Sequence, residues 1–290
     1  MVNITLHQLF TLNAVITQGS IQSGAKYLNK THPSVITALK KLENELNFSL
    51  FDRTGYRITL TKEGRVFYKS AQRILDNINE LGSLSLHLEN NEETELNIAI
   101  GDITPLGSAL SILRTFSREN TFTHLNLLFD NLEGVNERLL NGQADLIVHH
   151  IDKSDIRYEY KDFGRVEIIA VVAPEFLTMP VHNRLKYSNL VQYTQCVIRD
   201  TTEKLDTKNH FVSEHSPTIS VGDQHTKKEI IKQGMAWGHM PSFLIETELE
   251  SGELISINSD YIKTHIIDLV VSRLHKVNHG IMAEKLWNMF

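Results

Sequence analysis

The chain has 290 residues, of which 41% are hydrophobic and 22% are charged, so we expect a folded protein of two or three domains. No apolar run approaches the ~20 residues that a membrane helix needs, and the N-terminal residues lack the basic and apolar regions of a signal peptide. A single cysteine excludes an intramolecular disulfide. Composition therefore predicts a cytoplasmic protein with no membrane partner.

The first third of the chain is basic and the remainder is acidic. Residues 1–88 contain 10 Lys and Arg against 6 Asp and Glu, which is a net charge of +4. The other 202 residues contain 19 against 29, a net charge of −10, in agreement with −6 for the whole chain. A basic head on an acidic body is typical of a protein whose N-terminal part contacts nucleic-acid phosphates.

Three helical patterns precede residue 47. Thr5, Ser20 and Thr31 are the residues that can cap them at their N-termini. The inward positions of the third pattern are spaced four, three and four residues apart, at Val35, Leu39, Leu42 and Leu46. A tight connection joins the second and third patterns, which predicts a helix-turn-helix whose second helix can enter the DNA major groove.

Two short extended segments around a glycine-containing turn follow at residues 47–60. They predict the hairpin, or wing, of a winged helix-turn-helix. Phe48, Leu50 and Phe51 would fill the core behind the recognition helix. Arg53 and Arg57 would then face the DNA backbone.

Six short motifs lie between residues 19 and 64. They are Gly19-Ser20, Gly24-Ala25, Thr31-His32-Pro33, Leu42-Glu43, Leu50-Phe51-Asp52-Arg53 and Leu60-Thr61-Lys62-Glu63-Gly64. In order and spacing they resemble the N-terminal pattern of the LysR-type transcriptional regulators. The resemblance implies a winged helix-turn-helix that binds promoter DNA. His32 and Ile36 stand where that family usually has Gln and Ser, so the resemblance does not carry over a base preference.

The candidate DNA contacts fall into two groups. The exposed early positions of the recognition helix, which suit base contacts, are His32, Ser34, Thr37 and Lys41. The candidates for phosphate contacts are Thr31, Lys40, Arg53, Arg57 and Lys62. A solvated charged face is the alternative for the lysines. Helix-turn-helix shapes also occur in proteins that never touch DNA, and the basic charge of residues 1–88 favours DNA binding.

One long helical pattern begins at Thr61. Its apolar positions alternate at spacings of four and three, with Ser85 at the skipped position, and are Phe67, Ala71, Ile74, Ile78, Leu81 and Leu88. This repeat predicts the seam of a coiled coil. A helix lying on its own domain is the alternative, because Leu84 and Leu86 widen the apolar surface. The LysR resemblance implies a dimerising linker helix, in a homodimer or homotetramer that brings two recognition helices to two half-sites.

Strand-like and helix-like segments alternate after an acidic hinge at residues 89–94. This alternation predicts an α/β fold with a parallel sheet. The last strand and the closing helix return to the first half, which predicts a two-lobed domain like the periplasmic binding proteins. We therefore divide the chain into a winged helix-turn-helix domain (1–60), a linker helix (61–89) and an effector-binding domain (90–290), with lobe one at about 94–162 and 266–290 and lobe two at about 163–265.

The LysR resemblance extends into this domain through three shorter motifs. They are Gly142-Gln143-Ala144-Asp145, the segment from Gly234 to Pro241, and Gly252-Glu253-Leu254. In the second motif Ala236 replaces a glycine of the family pattern. The resemblance therefore covers essentially the whole chain and implies a small-molecule effector.

No enzyme signature is present in the sequence. It lacks a phosphate-binding glycine loop, a cysteine pair and a His-Glu-x-x-His motif. His149 and His150 are neighbours on a predicted strand and point to opposite faces, so they cannot jointly hold a metal. Cys196 lies in an apolar strand, where a buried inert thiol is expected. We expect a protein that is not an enzyme and has no cofactor or metal.

A ligand held between two lobes meets strand ends and helix N-termini. Helix N-termini suit small anions, since they present free N–H groups and a positive dipole end. The candidate effector contacts on this basis are Thr104 in lobe one and Thr201 and Thr202 in lobe two, with His149, His225 and Trp237 as further candidates. Helix capping is the alternative role of Thr104.

The sequence thus predicts a LysR-type regulator controlled by a small, anionic effector. Two other classes stay open at this point. One is a metabolic enzyme with an appended helix-turn-helix, which the lack of catalytic spacings disfavours. The other is a ligand-binding module whose helix-turn-helix contacts protein rather than DNA.

Overall fold

A computed structural model describes residues 3–52, 58–203, 211–213, 215–275 and 277–290. The chain divides into two compact units, Met1–Asn90 and Asn91–Phe290. In the described ranges no helix has the length and apolar character needed to cross a membrane.

Within its described residues the first unit contains four helices and a pair of short strands. Its elements are α1 (Leu6–Thr17), α2 (Ile21–Tyr27), α3 (His32–Leu46), β1 (Phe51–Asp52), β2 (Thr59–Leu60) and α4 (Lys62–Glu89). The predicted caps are confirmed, because the hydroxyls of Thr5, Ser20 and Thr31 each accept a hydrogen bond from the N–H three residues further on. The helix-turn-helix is formed by α2 and α3, and β1 pairs with β2 as the base of the wing.

A compact apolar core joins α1–α3 to the hairpin. Its buried members are Leu12, Val15, Ala25, Val35, Leu39, Leu42, Leu50 and Phe51. Glu43 fixes the chain that leaves α3, since its Oε1 accepts hydrogen bonds from the N–H groups of Leu50 (2.8 Å) and Phe51 (3.3 Å). A Cβ at Gly64 would collide with the carbonyl oxygen of Leu50. These contacts give the Leu-Glu, Leu-Phe and Leu-Thr-x-x-Gly motifs a structural role.

Helix α4 is apolar on a face that its own unit covers only in part. Ala71 and Leu75 are buried against Leu9, with Phe67 packed beside them. Further along the helix the apolar side chains are exposed in the single chain, at Ile74 (46%), Leu81 (65%), Leu86 (62%) and Leu88 (53%). The first two positions of the predicted seam therefore pack within the unit, because α1 lies against the beginning of α4.

The second unit is an α/β structure. Its elements are β3 (Glu95–Gly101), α5 (Leu106–Glu119), β4 (His124–Asp130), α6 (Glu133–Leu140), β5 (Leu146–His149), β6 (Tyr158–Val172), α7 (Tyr187–Leu190), β7 (Gln195–Ile198), β8 (Thr218–Val221), α8 (Gln224–Lys232), β9 (Gly238–Pro241), α9 (Glu246–Ser251), β10 (Ile255–Ser256), β11 (His265–Leu274) and α10 (Ile281–Met289).

The main sheet of this unit is mixed rather than parallel. Its strand order is β10-β6-β11-β5-β3-β4, and β9 also pairs with β6. Strands β3, β4 and β5 are parallel, as are β7 and β8 in a separate small sheet. Strand β11 is antiparallel to both β5 and β6. The prediction of an all-parallel sheet was wrong because β6 and β11 run in opposite directions between the two halves of the unit.

Strands β6 and β11 join two lobes. Lobe one contains β3–β5, α5, α6 and α10, and lobe two contains β7–β10 and α7–α9. The two long strands pair from Tyr158–Leu274 to Ile168–His265, with a register shift between Leu269 and Val270 opposite Phe163. The prediction that two crossings join the lobes is confirmed. Strand β6 begins at Tyr158, eight residues before the apolar segment that starts at Val166, because pairing with β11 extends the strand through a polar stretch.

Each lobe has its own core. In lobe one the β3 and β5 side chains pack against α5 and α10, with Phe116 and Leu286 fully buried. In lobe two Cys196, Ile231 and Met240 are fully buried. The predicted burial of the Cys196 thiol is confirmed, and this burial raises its pKa.

Hydrogen bonds across the cleft hold the lobes together. The Asn131 side-chain amide donates to the carbonyl oxygens of Arg199 (3.1 Å) and Gly222 (2.8 Å). The Thr201 hydroxyl oxygen accepts from the Asn131 N–H at 3.0 Å. Nearby, the Thr202 hydroxyl donates to Glu137 Oε2 at 2.7 Å. Because Asn131 is buried, we expect these bonds to be shielded from water and to fix the width of the cleft.

Because α6 lies so close to Thr201, we expect a methyl group added to α6 at this contact to destabilise the fold. A Cβ at Gly134 would overlap Thr201 Oγ1, whereas a Cβ at Gly107 in α5 would meet nothing within 4 Å. Gly134→Ala should lower the free energy of unfolding by about 1–3 kcal/mol, as overpacked sites do. Gly107→Ala, the matched control, should leave it unchanged or raise it by up to ~1 kcal/mol. Denaturant unfolding of the full chain measures both, and equal stabilities would contradict the predicted overlap.

Candidate functional site

A cavity of about 740 Å³ lies between the two lobes. Lobe one contributes Asp102, Asn136 and His149 to its wall. Asp102 directly follows β3 and His149 ends β5, and parallel neighbours bring their carboxyl ends to the same edge of the sheet. Lobe two contributes three further polar side chains, Gln224, Lys227 and His239.

Lys227 is a buried cation in this wall. Only 5% of the residue is exposed. Burial lowers the pKa of its ammonium to about 8, against the opposing influence of Cys196 and Asp102. Among the described residues this ammonium makes no hydrogen bond or salt bridge, and a buried charge without a partner costs free energy. The cavity therefore contains a positive group that an anionic ligand could contact.

Asp102 and Gln224 meet across the cleft. Gln224 Nε2 donates to Asp102 Oδ2 at 2.6 Å. Burial raises the pKa of the Asp102 carboxyl, while this hydrogen bond and the charge of Lys227 lower it. The remaining polar atom of each side chain, Asp102 Oδ1 and Gln224 Oε1, is buried without a hydrogen-bond partner in the part of the chain that the structure describes.

His149 is a neutral member of the wall. It is 5% exposed, and its imidazole packs so closely on Gly101 that a Cβ there would collide with Nδ1. Burial and the neighbouring His150 lower its pKa to about 4. His150 also lines the cavity but is exposed, and its Nδ1 lies 3.3 Å from the carbonyl oxygen of Asp268. In the described ranges no group of three or more His, Cys, Asp or Glu side chains could hold a metal.

The opposite wall is aromatic. The His239 ring lies 5.1 Å from that of Phe211, which lies 5.2 Å from that of His265. His239 Nε2 is 3.2 Å from the Tyr187 hydroxyl. Burial, with the charges of Lys227 and His265, lowers the pKa of His239 to about 3. The His239 imidazole is therefore neutral near neutral pH.

Of the six predicted effector contacts, His149 lies in the cavity wall. Thr104 is buried, and its hydroxyl donates to the Val148 carbonyl at 3.1 Å. Helix α5 begins at Leu106 with Pro105 as its N-cap residue, so the prediction that Thr104 caps this helix was wrong. Thr201 and Thr202 bond across the cleft to lobe one.

The two remaining predicted contacts lie outside the cavity wall. His225 is exposed on α8. Trp237 is fully buried in the core of lobe two. Gln224, which precedes His225, and His239, two residues after Trp237, line the cavity instead.

Among the residues that sequence reasoning did not identify are the polar side chains that the two lobes contribute to the cavity wall. They are Asp102, Asn136, Gln224, Lys227 and His239. One signal was available, because Gln224, Lys227 and Ile231 are the buried residues of α8 and follow each other at spacings of three and four. A lysine on the apolar stripe of a helix is unusual enough to mark a buried cation.

The predicted DNA contacts on α3 form one exposed face. Six of them are exposed, namely Thr31, His32, Ser34, Thr37, Lys40 and Lys41. Ser34, Thr37, Lys40 and Lys41 lie on the side of α3 away from the buried Val35, Leu39 and Leu42, and Thr31 and His32 lie at its N-terminus. Lys62, at the start of α4, is also exposed. Arg53 and Arg57 lie outside the described residues.

Two family models match the chain. The LysR substrate binding domain matches residues 89–277. The bacterial regulatory helix-turn-helix protein model of the lysR family matches residues 6–65. The first match alone covers more than half of the chain, and together the two matches span both units.

Curated relatives extend over most of the chain. YeeY of Escherichia coli, described as an uncharacterized HTH-type transcriptional regulator, is 27% identical over 252 residues, which cover 86% of this chain and 82% of YeeY. The RuBisCO operon transcriptional regulator of Allochromatium vinosum is 24% identical over 260 residues, which cover 88% of this chain and 85% of that protein.

Solved full-length structures share the fold. LysG of Corynebacterium glutamicum with the bound effector Arg is 17% identical, with a TM-score of 0.51 and coverage of 99% of this chain and 98% of LysG. The Vibrio cholerae virulence activator AphB is 19% identical, with a TM-score of 0.50 and coverage of 99% and 98%. The matched families and curated relatives are regulators of transcription rather than enzymes. The chain belongs to the LysR family of transcriptional regulators, with an N-terminal helix-turn-helix and a C-terminal effector-binding domain.

Proposed function

We propose that this protein binds promoter DNA in the cytoplasm as a homodimer or homotetramer, and that a small anionic effector in the cavity controls this binding. The observation that carries the effector proposal is the Lys227 ammonium, which is buried in the cavity wall with its pKa lowered to about 8. The mechanism is linkage, since an effector that binds one arrangement of the lobes more tightly shifts the population toward it.

Two features support an anionic ligand. Contact with an anion would offset the free-energy cost of the buried ammonium, which is large in a low-dielectric site. Lys227 also lies in the first turn of α8, where the helix dipole favours negative charge. Three further acidic residues line the cavity, Glu133, Asp152 and Asp268. Of these, Asp268 pairs with Lys153 (3.5 Å) and Arg165 (3.0 Å). Its charge is therefore largely compensated.

Removing the Lys227 charge tests this proposal. Carboxylates such as succinate, benzoate and isocaproate are screened by thermal shift on the full chain, since a ligand raises the Tm by mass action. Lys227→Gln should abolish the shift of every responding carboxylate. Lys263→Gln removes an exposed charge outside the cavity wall and should preserve it. If the Lys227→Gln protein binds its carboxylates undiminished, or if every responding ligand is uncharged or cationic, the anionic effector is disproved and the family assignment stands.

The same lysine gives the binding a defined pH dependence. The ammonium form predominates below its pKa of about 8 and is lost as the pH rises above it. Carboxylate affinity should therefore be constant below pH 8 and fall by up to tenfold per pH unit above it, until the higher pKa of the complex is reached. Isothermal titration calorimetry of the native chain measures this decline, which the Lys263→Gln control should share.

The exposed face of α3 supports DNA contact by the first unit. A lysine that neutralises one phosphate contributes about −0.9 to the slope of log affinity against log salt concentration. Lys40→Ala should weaken binding to all duplexes and reduce that slope by about this amount. Thr37→Ala should instead weaken preference at particular bases, by about 1–3 kcal/mol per lost contact.

These effects are measured on duplexes selected by the protein from a random library. Lys263→Ala, which removes a charge from the second unit, is the control for the lysine variant. Salt-independent binding, or no duplex binding at all, would favour the alternative in which the helix-turn-helix contacts protein.

The exposed apolar face of α4 supports dimerisation. A partner helix on this face would bury Ile74 and Leu81. Ile74→Asp would then place an unpaired charge in the interface, at a cost of ~3 kcal/mol or more than a hundredfold in the dissociation constant. Ser83→Asp adds the same charge at an exposed polar position. Sedimentation should show smaller particles for Ile74→Asp alone, and an unchanged mass would mean that the interface lies elsewhere.

A further inference from the structure

Buried polar atoms without partners are concentrated in the cavity wall. Within the described residues, five such atoms belong to its lining, namely Asp102 Oδ1, Asn136 Oδ1, His149 Nδ1, Gln224 Oε1 and His239 Nδ1. Asn136, His149, Gln224 and His239 are each less than a tenth exposed. Because nearly all buried polar groups in proteins are hydrogen-bonded, such a concentration points to a ligand that supplies the missing partners.

Three of these five atoms are oxygens that only accept hydrogen bonds. The amide orientations follow from their contacts, since Gln224 Nε2 donates to Asp102 at 2.6 Å and Asn136 Nδ2 donates to Glu133 Oε2 at 3.3 Å. Reversing either amide would bring an amide oxygen against a carboxylate oxygen. The wall therefore needs hydrogen-bond donors from the ligand as well as a negative charge for Lys227.

Asp102 and Lys227 face the cavity from different lobes. Asp102 and Lys227 form no salt bridge, although each shifts the pKa of the other by its charge. A ligand with one positive and one negative group could satisfy both at once. Asp102 and Gln224 are already in contact, so one donor group placed beside them would reach both free oxygens.

We propose that the effector is an amino acid, whose carboxylate contacts the Lys227 ammonium and whose ammonium donates to Asp102 Oδ1 and Gln224 Oε1. This inference rests on the proposed function, because it takes the anion-binding role of Lys227 as given. An ammonium offers three donors where a hydroxyl offers one. It also forms charge-assisted hydrogen bonds with the carboxylate, which are the stronger kind.

The remainder of the wall selects the side chain of this amino acid. Apolar groups line it at Ile103, Ile168, Ile198 and Phe211. The cavity volume of about 740 Å³ lies within the range of small-ligand sites. An aliphatic or aromatic side chain would fill this apolar part without leaving a polar group unpaired.

The test compares ligands that differ only in the group next to the carboxylate. One series is leucine, leucate and isocaproate, and a second is phenylalanine, phenyllactate and hydrocinnamate, with the other proteinogenic amino acids screened alongside. Calorimetry on the full chain should give, for a responding amino acid, at least tenfold higher affinity than for its hydroxy acid. The plain acid should bind more weakly still.

Three variants test which side chains cause the preference for an amino acid over the plain acid. Asp102→Asn keeps the shape of the side chain and should reduce amino-acid affinity at least tenfold while sparing the plain acid. Gln224→Met removes the second oxygen and should act in the same direction, which keeps the test decisive if one variant misfolds. Lys227→Gln should weaken amino acid and plain acid alike.

The outcomes separate this inference from the proposed function. If a plain acid or a hydroxy acid binds as tightly as its amino acid, and Lys227→Gln abolishes that binding, the amino-acid assignment fails while the anionic effector stands. If leucinol, which lacks the carboxylate, binds as tightly as leucine, both fail. If no amino acid raises the Tm of the full chain, the amino-acid assignment is also wrong.

Discussion

The antiparallel pairing of β6 with β11 is the interaction on which the second unit depends. These two strands are shared by both lobes, so one hydrogen-bonded ladder aligns the ends of β3 and β5 with the start of α8. That alignment brings Asp102 to within 2.6 Å of Gln224, although the two residues are 122 positions apart in the chain. The Asn131 hydrogen bonds at the other side of the cleft then fix how far the lobes stand apart. The cavity is the space that these two constraints leave between them.

Burial determines the electrostatic character of that space. His149 and His239 are driven to the neutral form, with pKa values of about 4 and 3. The strong charges deep in the wall are consequently those of Asp102 and Lys227, each of which is shifted toward its neutral form by burial. In the free protein, burial penalises the charged forms of both side chains. A ligand that pairs with both charges offsets that free-energy cost. Recognition by this cavity is therefore governed by complementarity of charge as much as by shape.

Local features of the structure could be read from the sequence, and non-local ones could not. The caps at Thr5, Ser20 and Thr31 and the stripe of Val35, Leu39 and Leu42 follow from spacing within one helix, and all are observed. Thr104 was expected to cap α5, but its hydroxyl bonds to Val148, which lies 44 residues away. The cavity wall combines segments from Asp102 to Asp268 that are distant in sequence, so its polar atoms converge only once the sheet has formed. Lys227 was hidden for a further reason, since a lysine usually indicates a solvated surface.

The register shift opposite Phe163 sets the mechanical behaviour of the effector-binding domain. Phe163 is the extra residue of β6 at this point, and its ring packs both on the core of lobe one and on the apolar cluster that includes Val166 and Leu269. A bulge of this kind bends a strand pair and increases its twist. The lobes are thus connected by a curved, hydrogen-bonded ribbon and not by free linkers. A rotation of one lobe against the other therefore has to twist or bend these two paired strands.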